Sequence, residues 1–224
     1  DGDSEIGFPA DGIAHTLTGN LDPWIPGSIA RAEETLSRVA FWNMNNRMDE
    51  APAKAAMERI LQAISPDIIG LSEVSNVSAN YVRGLLNDWI PLDDGASWNV
   101  VKDDYDLMVA SKGAVISTHA EVYRQFPVVI EAHPDWQVPM LFTSSHLKCC
   151  GGNSNEAQRQ SEADEYMAFL RDAINGEGDG LVLSPNAPVV YGGDLNMVGL
   201  DNPIYTLVTG DIANESTNGP DFAP

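Results

Sequence analysis

The chain is poor in cations. Its 224 residues hold 12 lysines and arginines against 33 aspartates and glutamates, a formal net charge of −21. A protein that tracks a duplex groove or an anionic membrane face needs a basic footprint, and so few cations leave little from which to build one. Extended nucleic acid is therefore disfavoured as a partner. A phosphate would have to be met through a small local patch or through a bound divalent cation. Long apolar runs are missing as well. None approaches the roughly 18 residues of a spanning helix, and the candidates, such as Asp67–Leu71 and Pro188–Tyr191, are strand-sized. The start, Asp1-Gly2-Asp3-Ser4-Glu5, has neither a Met nor the basic and apolar regions of a signal peptide. It reads as a mature or trimmed terminus, and the expectation is an exported protein, extracellular or periplasmic.

Cysteine is scarce too, with only Cys149 and Cys150, and these are neighbours. Consecutive Cα atoms lie about 3.8 Å apart, inside the roughly 4.4–6.8 Å of an ordinary disulfide. Only a strained vicinal ring could join them, so no disulfide framework exists, and the spacing is not that of a zinc site. They read as partly buried thiols in a turn before Gly151-Gly152. Of the four histidines, His15, His119 and His133 have no motif around them and read as surface or structural residues; His146 differs.

What is present is ordinary globular composition, 43% apolar and 20% charged. Residues 1–36 are rich in Gly, Pro and Asp without a sustained period and read as an extension to a domain over 37–224. Ser37–Asn43 has strand propensity. Asp49–Ser65 carries a helical stripe of Ala53, Ala56, Met57, Ile60, Leu61 and Ile64, and Ser65-Pro66 stops it. Asp67–Leu71 is a short apolar strand and Val77–Leu86 a second amphipathic helix. Trp98–Val101, Tyr105–Ser111, Ala114–Ser117, Phe126–Ile130 and Val138–His146 are strand-like at short spacing, which predicts an antiparallel sheet. Glu156–Ile174 then reads as a helix, Pro188–Gly192 as a strand and Ala213–Pro224 as a loop. The order predicts α/β or α+β layering around sheets.

Polar residues gather where the apolar strands end. Asn43 closes Phe41-Trp42-Asn43, with Asn45 and Asn46 close by as alternatives, and Glu73 follows Gly70-Leu71-Ser72. His146 closes Phe142-Thr143-Ser144-Ser145-His146, and Asp194 and Asn196 follow Tyr191-Gly192-Gly193. Hard oxygen donors, an imidazole and an acid–amide pair make a set suited to metal-dependent hydrolysis.

The series Trp42-Asn43, then DIIGLSEV over 67–74, then a strand ending in Ser145-His146-Leu147, then GGDLN over 192–196, resembles the endonuclease/exonuclease/phosphatase superfamily of DNase-I-like phosphoesterases. The resemblance covers about Ser37 to Gly199. It implies a four-layered sandwich of two packed mixed sheets flanked by helices, and a phosphoester substrate. It makes Glu73, assisted by Asn43, the ligands of Mg2+, with Mn2+ or Ca2+ as alternatives. It has Asp194 orient or deprotonate the attacking water, Asn196 hold the phosphoryl group and His146 donate to a phosphoryl oxygen. Lys112 and Lys148 are the cations expected near a substrate phosphate. All five site residues should converge on one cleft, the Glu73 and Asp194 carboxylates within about 8 Å.

Two departures matter. Ser72 stands where the family commonly has Gln. The family's C-terminal Asp-His segment has no counterpart, since no histidine follows Asn196, and the domain is expected to be incomplete there. A phosphoesterase is thus the first expectation. A non-catalytic phosphate- or ligand-binding module on the same fold is the rival, and a nuclease the third reading.

Overall fold

The computed structural model describes residues 29–30, 36–131, 138–178, 180–184 and 186–222. Most of the expected N-terminal extension lies outside them; within it, the Ile29 amide donates to the Ala63 carbonyl at 2.9 Å. The chain runs β1 (Val39–Asn43), α1 (Ala51–Ile64), β2 (Ile68–Ser72), α2 (Ala79–Trp89), β3 (Asn99–Lys102), β4 (Met108–Ser111), β5 (Val115–Thr118), β6 (Gln125–Ile130), β7 (Met140–His146), α3 (Asn153–Asn175), β8 (Val189–Asp194), α4 (Asn202–Thr209) and α5 (Glu215–Asn218). Local chemistry sets the helix ends. Pro52 sits in the first turn of α1, and Ser65 ends it in a left-handed conformation. The Ser78 hydroxyl caps α2 by accepting the Tyr81 amide. The stretch read as a loop over Ala213–Pro224 contains the single turn α5, too short to show a period.

Two sheets form, in the orders β1-β2-β4-β3 and β5-β6-β7-β8. Strands β1 and β2 run parallel, joined by α1, and β7 and β8 run parallel, joined by α3; the remaining pairs are antiparallel. The strand run from Trp98 to His146 therefore does not make one antiparallel sheet. Strands β3 and β4 complete the first sheet, while β5, β6 and β7 belong to the second. The reason is two-sided burial. In β4, Met108 and Ala110 face α1 and α2, while Val109 faces the other sheet. In β6, Phe126, Val128 and Ile130 face the first sheet and Val129 faces α3. Strands apolar on both sides need a layer on each side, so they stack face to face. The outcome is four layers: α1 and α2, the first sheet, the second sheet, and α3.

At the end of the sheet-to-sheet layer that carries the polar strand ends, the two sheets meet on one ring. Phe41 of β1 stacks on Phe142 of β7 with centroids 4.9 Å apart and planes 5° from parallel. A Cβ placed on Gly70 of β2 would lie 2.6 Å from Phe41 Cδ1, and one on Gly192 of β8 would lie 2.5 Å from Phe41 Cε2. The ring occupies the space both glycines leave. We expect Gly192→Ala to overpack this contact and cost about 1–3 kcal/mol, read as a lower midpoint of chemical denaturation. A wild-type midpoint would show that the ring has room to move.

Candidate active site

The ring lies just beneath the ends of β1, β2 and β8, and those ends carry the expected residues. The Asn43 side-chain amide donates to Glu73 Oε1 at 2.8 Å and to Asp194 Oδ2 at 2.7 Å, while its oxygen accepts the Asn45 amide at 2.9 Å. Asn43 is thus the one of the three asparagines that reaches the carboxylates. Asn46 instead shapes the neighbouring turn, accepting the amide and hydroxyl of Ser75. Glu73 sits at φ +53°, a conformation uncommon for a residue with a long side chain. It is held there by backbone bonds from Met44 to Ser72 and from Asn46 to Glu73, at 2.9 and 2.8 Å. Just before it, the buried Ser72 hydroxyl has no hydrogen-bond partner.

On the second sheet, His146 and Asp194 are register partners of the parallel pair β7–β8. Gly193, at φ +138°, permits that approach, because a Cβ there would lie 2.0 Å from the Ser145 carbonyl oxygen. Ligand atoms of Glu73, His146 and Asp194 all lie within 4.8 Å of one another, so the three can hold a metal ion. Asn196, at φ +49°, donates its backbone amide to Asp194 Oδ1 at 3.2 Å and its side-chain amide to the Leu147 carbonyl at 3.0 Å. It ties the loop after β8 to the loop after β7.

His146 has a partner that the sequence reading missed. Its Nδ1 lies 2.8 Å from Asp106 Oδ2, and its Nε2 lies 3.7 Å from Glu73 Oε1. The Asp106 side chain is only 13% exposed, and its other oxygen is buried without a partner. An acid bonded to one ring nitrogen fixes the orientation of the other. The available signal was topological. Because β4 runs antiparallel to β2, the residue just before β4 arrives at the same end of the sheet as the residue after β2.

The same rule corrects Lys112. It follows β4 and so emerges at the opposite end of the sheet from Glu73, where its Nζ pairs with Asp67 Oδ1 at 3.0 Å. It is not at the cleft. Lys148 is on the cleft side of the fold, its amide donating to Glu162 Oε2 at 2.8 Å. The buried His119 bonds Ser117 and Glu121, in keeping with a structural role, and His15 and His133 lie outside the described residues. Cys149 is half-buried and Cys150 exposed, both as free thiols.

Two arginines brace the loops, Arg159 fully buried and Arg124 partly buried. Arg159 of α3, with no exposure, donates to the carbonyls of Lys148 and Cys150 at 2.8 Å each, and to that of Val198. One guanidinium thus clasps the loop after His146 and the loop after Asn196. Arg124 donates through Nε to the His146 carbonyl at 2.6 Å, and lies 3.7 Å from Glu162. Burial pushes the Glu162 carboxyl above its ordinary range, against the Lys148 amide and Arg124, which favour its ionised form. Nothing in the sequence pattern marked either arginine.

With this geometry in hand, comparison places the chain. The profile of the Endonuclease/Exonuclease/phosphatase family matches residues 40–220, and the chain belongs to that family of hydrolytic phosphoesterases. No curated protein sequence matches it significantly. Among solved structures, the human Nocturnin catalytic domain with bound sulfate superposes with a TM-score of 0.57 at 12% identity, covering 86% of this chain and 78% of that one. A β-hairpin deletion mutant of beta toxin from Staphylococcus aureus gives 0.54 at 13% identity, covering 78% and 72%. TDP2 from C. elegans gives 0.49 at 19% identity over 72% of this chain, which spans 48% of that chain's length. At these identities the first two likenesses show the DNase-I-like fold.

Arg159→Met removes the clasp and leaves three carbonyls to find other donors. We expect a loss of about 2–4 kcal/mol in unfolding free energy, measured by denaturant titration. Unchanged stability would mean that the loops hold without it.

Proposed function

We propose that this chain is a divalent-metal-dependent phosphoesterase that hydrolyses its substrate by in-line attack of water. The observation that carries the reading is the amide group of Asn43 held between the Glu73 and Asp194 carboxylates, with the His146 imidazole alongside. Two carboxylates brought this close repel unless positive charge lies between them, and the amide N–H groups supply part of it. The donor set fits a hard cation, Mg2+ above all, held by Glu73 with Asn43, and Mn2+ or Ca2+ suit the same oxygens. When bound, such an ion neutralises charge on the phosphoryl oxygens.

The protein's own groups do the rest. Asp194 orients the water and accepts its proton as the new oxygen–phosphorus bond forms and the ester P–O bond breaks. His146, aligned by Asp106, donates to a phosphoryl oxygen as charge grows there. Asn196 fixes the turn that aims Asp194. The departing alcohol oxygen takes up a proton. Net charge favours a small phosphoester over a nucleic acid gripped along many phosphates.

Hydrolysis of bis(p-nitrophenyl) phosphate by the full-length protein tests the reading. We expect activity that needs Mg2+, is lost with EDTA and falls at least about 100-fold in Glu73→Gln, whose circular dichroism stays native. Turnover equal to wild type at saturating Mg2+ would overturn the assignment. Absence of any turnover in the wild type would favour the binding-module reading. Replacing both cysteines by serine should keep activity within a few-fold, because neither thiol has metal-site spacing. Loss of activity together with bound metal would reverse that conclusion.

A further inference from the structure

The proposed chemistry does not use Cys149 and Cys150, which follow His146 in the loop between β7 and α3. Their side chains stand together in a way that adjacent residues seldom allow. Along an extended chain, successive side chains point to opposite faces. Here the two Sγ atoms lie 2.6 Å apart, both as free thiols, with Cys149 half-buried and Cys150 exposed. The turn that gathers them is strained. Cys150 has φ +75°, a conformation that residues with side chains rarely adopt and that persists only where neighbours enforce it.

Helix α3 supplies the enforcement. Arg159 Nη1 donates to the carbonyls of Lys148 and Cys150 at 2.8 Å each, and Glu162 Oε2 accepts the Lys148 amide at 2.8 Å. The Asn155 side-chain amide donates to the Gly151 carbonyl at 2.9 Å. One helix thus pins the backbone on both sides of the pair.

We propose that Cys149 and Cys150 are a redox-modification site, a dithiol that a small disulfide of the glutathione class closes reversibly to a vicinal disulfide. The sulfurs stand only about half an ångström beyond the roughly 2.03–2.05 Å of an S–S bond. One cysteine thiolate attacks the reagent, forms a mixed disulfide and expels one small thiolate. The other cysteine, as thiolate, then attacks its neighbour's sulfur, breaks the mixed disulfide and expels the second. The two cysteine protons end on the two departing thiols, and two electrons pass from the pair to the reagent. Sharing a proton with Cys149 holds the Cys150 thiol above its ordinary range, against Lys148 and Arg159, which favour its thiolate.

A bond kept only for stability would gain little here. In the chain-entropy account a disulfide stabilises by closing a loop in the unfolded chain, and more for longer loops. Adjacent residues close the shortest loop there is. Their Cα atoms, about 3.8 Å apart, also sit inside the roughly 4.4–6.8 Å of an ordinary disulfide, which makes the bond easier to reduce. Strained and exposed disulfides are the labile ones, made and broken as conditions change.

Incubation of the full chain with glutathione disulfide, followed by alkylation and mass spectrometry, tests the proposal. We expect the peptide holding both cysteines to lose two hydrogens, to retain no glutathione, and to regain both thiols with dithiothreitol. Cys149→Ser, which keeps the exposed thiol alone, should stop at the glutathione adduct. A lasting adduct on the wild type, a disulfide between two chains, or two thiols still free would each overturn the assignment. A second measurement shows whether the fold builds the pair. Ring closure, read as release of the second glutathione, should be at least about tenfold faster in the native chain than in the urea-unfolded one, because only the folded turn holds the sulfurs together. Equal rates would reduce the pair to two cysteines that happen to be adjacent, and would overturn the proposal.

Discussion

The closeness of two sheets at one point governs the site. Phe41 fills the space left by Gly70 and Gly192, and it stacks on Phe142. Interiors this tightly packed do not shift without cost, so the ring sets the separation of β1, β2 and β8 where they end. Asn43 is two residues beyond Phe41, Glu73 three beyond Gly70 and Asp194 two beyond Gly192. A strand rises only about 3.3 Å per residue. Spacing fixed at the ring is thus carried to the side chains within two or three residues.

Backbone strain completes the placement. Glu73 and Asn196 both stand at positive φ, Glu73 at +53° directly after β2 and Asn196 at +49° two residues after the end of β8. Such conformations cost of order 1–3 kcal/mol for residues with side chains and persist only where neighbours enforce them. Around Glu73 the enforcers are the bonds to Ser72 and Glu73 carbonyls. Around Asn196 they are Asp194, Leu147 and, through Val198, Arg159. The strained turns aim a carboxylate from each sheet at the same point, which two unstrained strand ends would not do.

Much of this was legible in the sequence. Strand period and helical stripes gave the eight strands and α1 to α3 but neither α4 nor α5, and strand-end polar residues pointed to Asn43, Glu73, His146 and Asp194, because local pattern encodes both. What depended on pairing was not legible. The arrival of Asp106 at His146 and the departure of Lys112 to the far end follow from β4 running antiparallel to β2, and the division of the middle strands between two sheets follows from their two-sided burial. That fact is absent from any single segment. Arg124 and Arg159 were invisible for another reason: each acts on backbone carbonyls, which every residue has, so no partner residue type announces them.

That last point bears on how so acidic a chain would address the phosphoester proposed as its substrate. Among the described residues, Arg38, Arg83, Lys102, Arg124, Arg159 and Arg171 donate to backbone carbonyls. A guanidinium or ammonium so bound is held to the scaffold and is not free to follow a substrate. The scarce positive charge thus fixes loops, and recognition of the phosphoryl group falls to the donors of the cleft itself. In the proposed reaction those are the Asp106-aligned imidazole and whatever ion the carboxylates attract. Under the proposed function such a cleft would meet one phosphate at close range, and its specificity would come from the groups immediately beside that phosphate rather than from a long charged track.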